Sequence, residues 1–129
     1  LTFSALCLGL DDFETLRGIG EGVAAAIRDF GGNVLIIASS DMTHYESADS
    51  ARRKDNLALD RVLALDPRGL LQVCRNESIT MCGAVTAAVM LLATEILGAS
   101  KAELLAYGTS GDITGDNRKV VGYAAVLVE

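Results

Sequence analysis

The run Val34-Leu-Ile-Ile-Ala38 restricts the fold more than any other stretch of this chain. It is wholly apolar and rich in β-branched residues, and polar turn formers bound it on both sides. Such a run predicts a strand buried on both faces, which is the situation of strands inside parallel sheets. Ligands of open α/β sheets bind beyond the carboxyl ends of such strands. Ser39, Ser40, Asp41 and His44, the single histidine, fall at that end. A site in this chain is expected to start there.

The flanking patterns supply the rest of an α/β fold. Residues 2–8 alternate small and apolar side chains and predict a first strand. Residues 9–12 turn the chain, with Asp11 or Asp12 placed to cap the next helix. From Phe13 to Phe30 the residues Leu16, Ile19, Val23, Ile27 and Phe30 recur at helical spacing and define one face. Gly31-Gly32 ends that helix. Strand, helix, strand in this order is a βαβ unit and favours parallel pairing. A polar, helix-compatible run to Asp55 continues into Leu57, Leu59, Val62, Leu63 and Leu65 as a second amphipathic helix. Pro67 opens a short helix through Val73, and residues 75–78 are expected as loop. The strand-like triplet Ile79-Thr-Met81 leads through Cys82-Gly83 into an almost wholly apolar helix ending at Leu97, which must be buried. Residues 103–109 and 120–128 are the last strands, joined by a glycine- and aspartate-rich hairpin loop. The sum is one α/β domain with a mixed, largely parallel sheet flanked by helices.

Composition removes several functions. A net charge of −6 over 129 residues gives nucleic acid little to bind, because phosphate neutralisation needs clustered Lys and Arg. Arg52-Arg53-Lys54, between Asp49 and Asp55, reads as a solvated helix start. No run reaches the roughly 20 apolar residues of a membrane span. No signal peptide is expected, although the chain opens on Leu1 and is as compatible with a processed or cut chain as with half of a larger one. Cys7, Cys74 and Cys82 are odd in number and form no C-x-x-C pair, which fits a reducing cytoplasm better than a disulfide framework. A P-loop and a G-x-S-x-G elbow are absent. Gly18-Ile-Gly20-Glu-Gly22 imitates a dinucleotide fingerprint, but the third glycine comes one residue early and the run does not follow the first strand directly. Tight packing of the helix on the sheet explains those glycines better.

Three groups of residues carry chemistry. Asp41 and His44 are three apart, so a helical turn would put both on one side, where the carboxylate could fix the imidazole tautomer. The alternative is that Asp41 caps a turn and His44 fills a polar corner. Cys82 precedes the apolar helix, where terminal N–H groups favour thiolate over thiol, and a thiolate is a nucleophile or a soft metal ligand. Close packing permitted by Gly83 is the alternative there. Asp112 and Asp116 sit in a loop of ordinary turn formers and miss the calcium-loop spacing. With one histidine, no site of two histidines and a carboxylate can be assembled within a single copy.

Ala38-Ser-Ser-Asp-Met-Thr-His-Tyr-Glu46, Met81-Cys-Gly83, Tyr107-Gly-Thr-Ser-Gly-Asp-Ile-Thr-Gly-Asp116 and Val120-Val-Gly-Tyr123 together resemble the Memo family. Its prokaryotic members are called AmmeMemoRadiSam system protein B. The resemblance implies that residues 1–129 are the C-terminal part of a single Memo-like α/β domain, related in fold to class III extradiol dioxygenases. It implies a vestigial dioxygenase-type pocket that binds a metal ion or small ligand, with no established turnover. Ser40, Asp41 and His44 would line the pocket. Cys82 and His44 would meet the metal, iron or copper, together with histidines from an N-terminal half that includes an H-A-G-type motif. That half is the partner the resemblance calls for, beside a small ligand or peptide. The alternatives are a ring-cleavage dioxygenase using non-haem iron, with Asp41 and His44 catalytic, and a peptide-binding module.

Overall fold

The computed structural model describes residues 2–9 and 12–129. Helix α1 (Phe13–Phe30) begins where the Asp12 carboxylate accepts the Thr15 amide at 2.9 Å and ends at Gly31, whose φ of 66° lets its N–H reach the Ile27 carbonyl. Asp11, the other expected cap, lies outside the described residues. Strand β1 (His44–Glu46) is short. Helix α2 (Ala48–Leu63) follows a Ser47 cap, and α3 (Pro67–Asn76) opens on Pro67 with the Asp66 carboxylate holding the Gly69 amide. Helix α4 (Ala84–Leu97) is the apolar one. Strand β2 (Ala102–Thr109), the single-turn α5 (Gly111–Thr114) and β3 (Val120–Val128) complete the order.

Helix α4 is buried between two layers, as its lack of a polar face requires. On one side Leu91, Ala84 and Ala87 join Met42, Leu59, Val62, Leu70 and Cys74 in the main core, under the inner faces of β2 and β3. On the other, Val89 and Leu92 meet Leu16 of α1. The buried stripe of α1 is Leu16, Gly20 and Ala24. The face predicted from the large residues is therefore rotated. Leu16 is buried as predicted, but Ile19, Val23 and Ile27 are half-buried and Phe30 is 70 % exposed, because one and two turns beyond Leu16 the stripe facing α4 is taken by the small residues Gly20 and Ala24. A Cβ built on Gly20 would stand 2.7 Å from the Cβ of Leu92, whereas Gly18 and Gly22 face open space. Helix–helix contact at one glycine, and not helix–sheet packing of all three, is the structural content of that motif.

The sheet differs from the expected one. Its order is β1-β3-β2, and both pairings are antiparallel. Neither residues 2–8 nor residues 33–38 form a strand, so the βαβ unit and the largely parallel sheet are corrected to a small antiparallel one. The reason is supply of partners: a strand is stabilised by a neighbour about 4.8 Å away, and among the described residues nothing pairs with either segment. Leu35 is 79 % and Ile37 76 % exposed, and Phe3 and Leu6 are also open. Beside residues 34–38 runs an apolar groove of about 410 Å³, with Met90, Leu97, Val126 and Val128 on its other walls and Ser40 at its rim. Residues 79–81 are likewise irregular, and α3 continues to Asn76 through the expected loop. No described helix is long and apolar enough to cross a membrane.

Candidate functional site

The chain leaves the open segment at Asp41 and is then gripped by β3. The Met42 amide donates to the Gly122 carbonyl and the Gly122 amide to the Thr43 carbonyl, both at 2.9 Å. His44 pairs with Val121 and Glu46 with Val120, leaving Tyr45 as the extra residue of a bulge at φ 59°. A bulky residue in that left-handed region costs about 1–2 kcal/mol, and strain of this kind gathers at functional sites. Asp41 and His44 are thus joined by a bend and not by the helical turn expected from their spacing.

The approach of α4 closes the site. A Cβ at Gly83 would fall 2.5 Å from the Ser39 carbonyl oxygen and from the Ser40 Cβ, so only glycine lets the start of α4 reach this loop. Ser40 seals the join, its Oγ accepting the Gly83 amide at 2.8 Å and donating to the Asp41 carbonyl at 2.7 Å. Cys82 is then set against Asp41, whose amide donates to Sγ at 3.1 Å. Close packing permitted by Gly83 is thus what the structure shows at this junction.

His44 faces the same point. Its Nδ1 lies 2.8 Å from the Thr80 carbonyl oxygen, and its amide donates to Thr80 Oγ1 at 2.7 Å. A carbonyl only accepts, so this contact is a hydrogen bond in the tautomer whose proton sits on Nδ1. Asp41, which was expected to set this tautomer, stands instead across from Nε2, with Oδ2 at 3.6 Å. One ligand atom each from Asp41, His44 and Cys82 lie within 4.8 Å of one another. Three lone-pair donors thus converge, with no donor hydrogen among them when the imidazole is neutral and the thiol ionised.

Beneath the site is a carboxylate that the charge pattern misplaced. Asp55 was read as part of a solvated helix start, yet it is fully buried. Its Oδ1 accepts the Thr43 amide at 2.8 Å and its Oδ2 the Tyr107 hydroxyl at 2.7 Å. Burial, and then the bond to Asp55, push the Tyr107 hydroxyl well above its usual range. The signal was present: Ala51, Asp55, Ala58, Leu59 and Val62 fall on one face of α2, so a charge stands on the core side. The solvated reading holds for Arg53, which is exposed and faces Glu77, and for Arg52, which meets Asp112 at the surface, whereas Lys54 is largely buried against Glu46. Asp112 also accepts the Thr109 amide, the principal cause that holds its carboxyl below the ordinary value, and Asp116 pairs with Arg118. Both loop aspartates thus serve the turn, as their residue types predicted. Cys74 is buried, while Cys7 is exposed.

A family model described as "Memo-like protein" matches residues 4–127. A MEMO1 family protein of Methanopyrus kandleri is 39 % identical over 125 residues, covering 97 % of this chain and 44 % of the relative. MEMO1 family proteins of Methanosarcina acetivorans and Methanocaldococcus jannaschii are 43 % and 42 % identical over 124 residues, covering 96 % of this chain and 46 % and 43 % of their own lengths. The chain therefore spans under half the length of the curated relatives it matches. The loop, the cysteine–glycine junction and the hairpin that build the site all lie inside the matched region, and the chain belongs to the Memo family.

Proposed function

We propose that this chain supplies one wall of a Memo-type metal pocket, with Asp41, His44 and Cys82 as donors. The observation that carries the reading is the convergence of thiol sulfur, imidazole nitrogen and carboxylate oxygen within 4.8 Å. A carboxylate oxygen and an unprotonated imidazole nitrogen facing each other at 3.6 Å repel unless a proton or cation sits between them. The donor set fits the group implied by the family: sulfur and imidazole together suit iron, copper or zinc and not magnesium or calcium. When bound, such an ion would supply Lewis acidity. The residues of this chain would hold it and keep the thiol at the foot of α4.

Three donors leave a four-coordinate ion incomplete. The exposed Leu35, Ile37, Phe3 and Leu6 and the unpaired residues 2–8 and 33–38 support a second element of the proposal. The further length that the relatives possess pairs with these segments, covers the groove and brings the remaining ligands. In that assembly residues 1–129 are the C-terminal part of a single domain. Ser40, at the rim of the groove, lines the space where a small ligand would enter. A ring-cleavage site is disfavoured by the thiol in place of a carboxylate ligand, because a sulfur donor shifts preference toward softer metals.

Cobalt(II) titration tests the proposal. The expected result is a near-ultraviolet thiolate charge-transfer band, weak for this chain alone, lost in Cys82→Ser and reduced in His44→Gln and Asp41→Asn. Tight one-to-one binding by the isolated chain would refute the incomplete-pocket reading. A band that persists in Cys82→Ser would refute the donor assignment.

A further inference from the structure

The family resemblance and the metal reading assign nothing to Thr80. It is an exposed residue between α3 and α4, outside every strand and helix. Yet it makes two bonds to one partner: its hydroxyl accepts the His44 amide at 2.7 Å, and its carbonyl accepts Nδ1 of the same residue at 2.8 Å. Two bonds from one residue to the backbone and ring of another fix both the position and the χ angles of the imidazole. We infer that Thr80 is a positioning residue that locks His44 in the Nδ1–H tautomer and turns its Nε2 toward Asp41.

The physical argument is short. A neutral imidazole chooses its tautomer by the partner of the other nitrogen. Here that partner is a backbone carbonyl, which cannot donate, so the proton is confined to Nδ1. The carbonyl is aimed by the Thr80 backbone, and the hydroxyl bond to the His44 amide holds that backbone parallel to the loop. Thr43, one residue before His44, is held independently by the Asp55 carboxylate at 2.8 Å, so the loop has little freedom to follow if Thr80 lets go. Thr80 also stands two residues before Cys82. Imidazole and thiol are therefore placed by one tripeptide, and a shift of that tripeptide moves both together. Asp41, the charged neighbour of Nε2, pulls the other way, since its carboxylate at 3.6 Å would favour a proton on Nε2. The clamp is what opposes that pull.

The inference goes beyond the metal reading and does not need a bound ion. Because the chain holds one histidine, its ring nitrogens give one unambiguous pair of signals in a long-range proton–nitrogen correlation spectrum. In metal-free protein in mildly alkaline buffer, Nε2 is expected far downfield as an unprotonated nitrogen, and Nδ1 upfield as a protonated one. Thr80→Val keeps the β-branch but removes the hydroxyl, and the two shifts should move toward each other as the tautomers mix. Thr80→Ser, which restores the hydroxyl, should return the wild-type pattern. Because residue 80 is exposed, neither variant should disturb folding, and an unchanged amide spectrum away from residues 41–44 and 79–83 checks this. A wild-type spectrum with the proton on Nε2, or a Thr80→Val spectrum identical to wild type, overturns the inference. A Thr80→Val spectrum identical to wild type together with a cobalt band lost in Cys82→Ser would overturn the clamp and leave the metal reading standing, so the two readings fail separately.

Discussion

Alanine at Gly20 tests how α1 meets α4, and Gly18 and Gly22 provide internal controls on the same helix. In a helix interior, glycine to alanine stabilises by about 1 kcal/mol through helix propensity. At Gly18 and Gly22 the new methyl meets nothing within 4 Å, so that gain should appear nearly whole. At Gly20 it would stand 2.7 Å from Leu92 Cβ and 3.4 Å from the Ala93 nitrogen and the Val89 oxygen. A Cβ cannot rotate away, so relief requires the helices to part by more than an ångström. Leu16, Val89 and Leu92 then lose close contact, and overpacking of this kind costs about 1–3 kcal/mol, occasionally more. Because the propensity gain is common to both variants, the difference between Gly20→Ala and Gly18→Ala should be about 1–3 kcal/mol, which for a chain of this size is on the order of 5–10 °C in melting temperature. Thermal unfolding by circular dichroism measures it. If Gly20→Ala melts at or above Gly18→Ala, the close helix contact described here is wrong.

Thiol labelling separates the cysteines: Cys82 and Cys7 should react readily with a small alkylating reagent at pH 8, while Cys74 waits for unfolding. Burial, with the nearby Asp55 charge adding to it, pushes the Cys74 thiol up to about 11, and a two-unit rise lowers the thiolate fraction about a hundredfold. Because the folded value lies above the unfolded one, its contribution to stability is complete below pH 9 and fades as pH climbs toward 11; equal labelling rates by mass spectrometry would contradict this. Tyr107→Phe should destabilise by about 1–3 kcal/mol, because it leaves an oxygen of the buried Asp55 without its donor; an unshifted urea midpoint would show that Asp55 is hydrated. Glu46 is held below the ordinary carboxylate value by its bonds to Lys54 and then Ser50. That pairing supports folding above about pH 4.5 and is lost as pH falls through the lowered value, so Glu46→Gln should flatten the acid limb of the stability profile.

Much of the chain was legible because its cause is local. The bounds of α1 follow from Asp12 and Gly31, the break before α3 from Asp66-Pro67, and the burial of α4 from the absence of a polar face. The last hairpin follows from two apolar runs around a turn-rich loop. The positions of Asp41, His44 and Cys82 as residues of interest were also readable, from their types and from a resemblance carried by short motifs.

What the tertiary structure alone decided concerns partners distant in sequence. Residues 34–38 have the composition of a buried strand, but composition does not supply a neighbour, and here they stand open. The buried face of α1 was misread because periodicity ranks side chains by size, while the distance to α4 selects for the smallest. Asp55 looked like surface charge because its acceptors' partners, Thr43 and Tyr107, lie 12 and 52 residues away. Thr80 carried no signal, since half of its grip on His44 is a backbone carbonyl that every residue possesses. Local chemistry names the elements and the reactive side chains; only folding decides which lone pairs face one another.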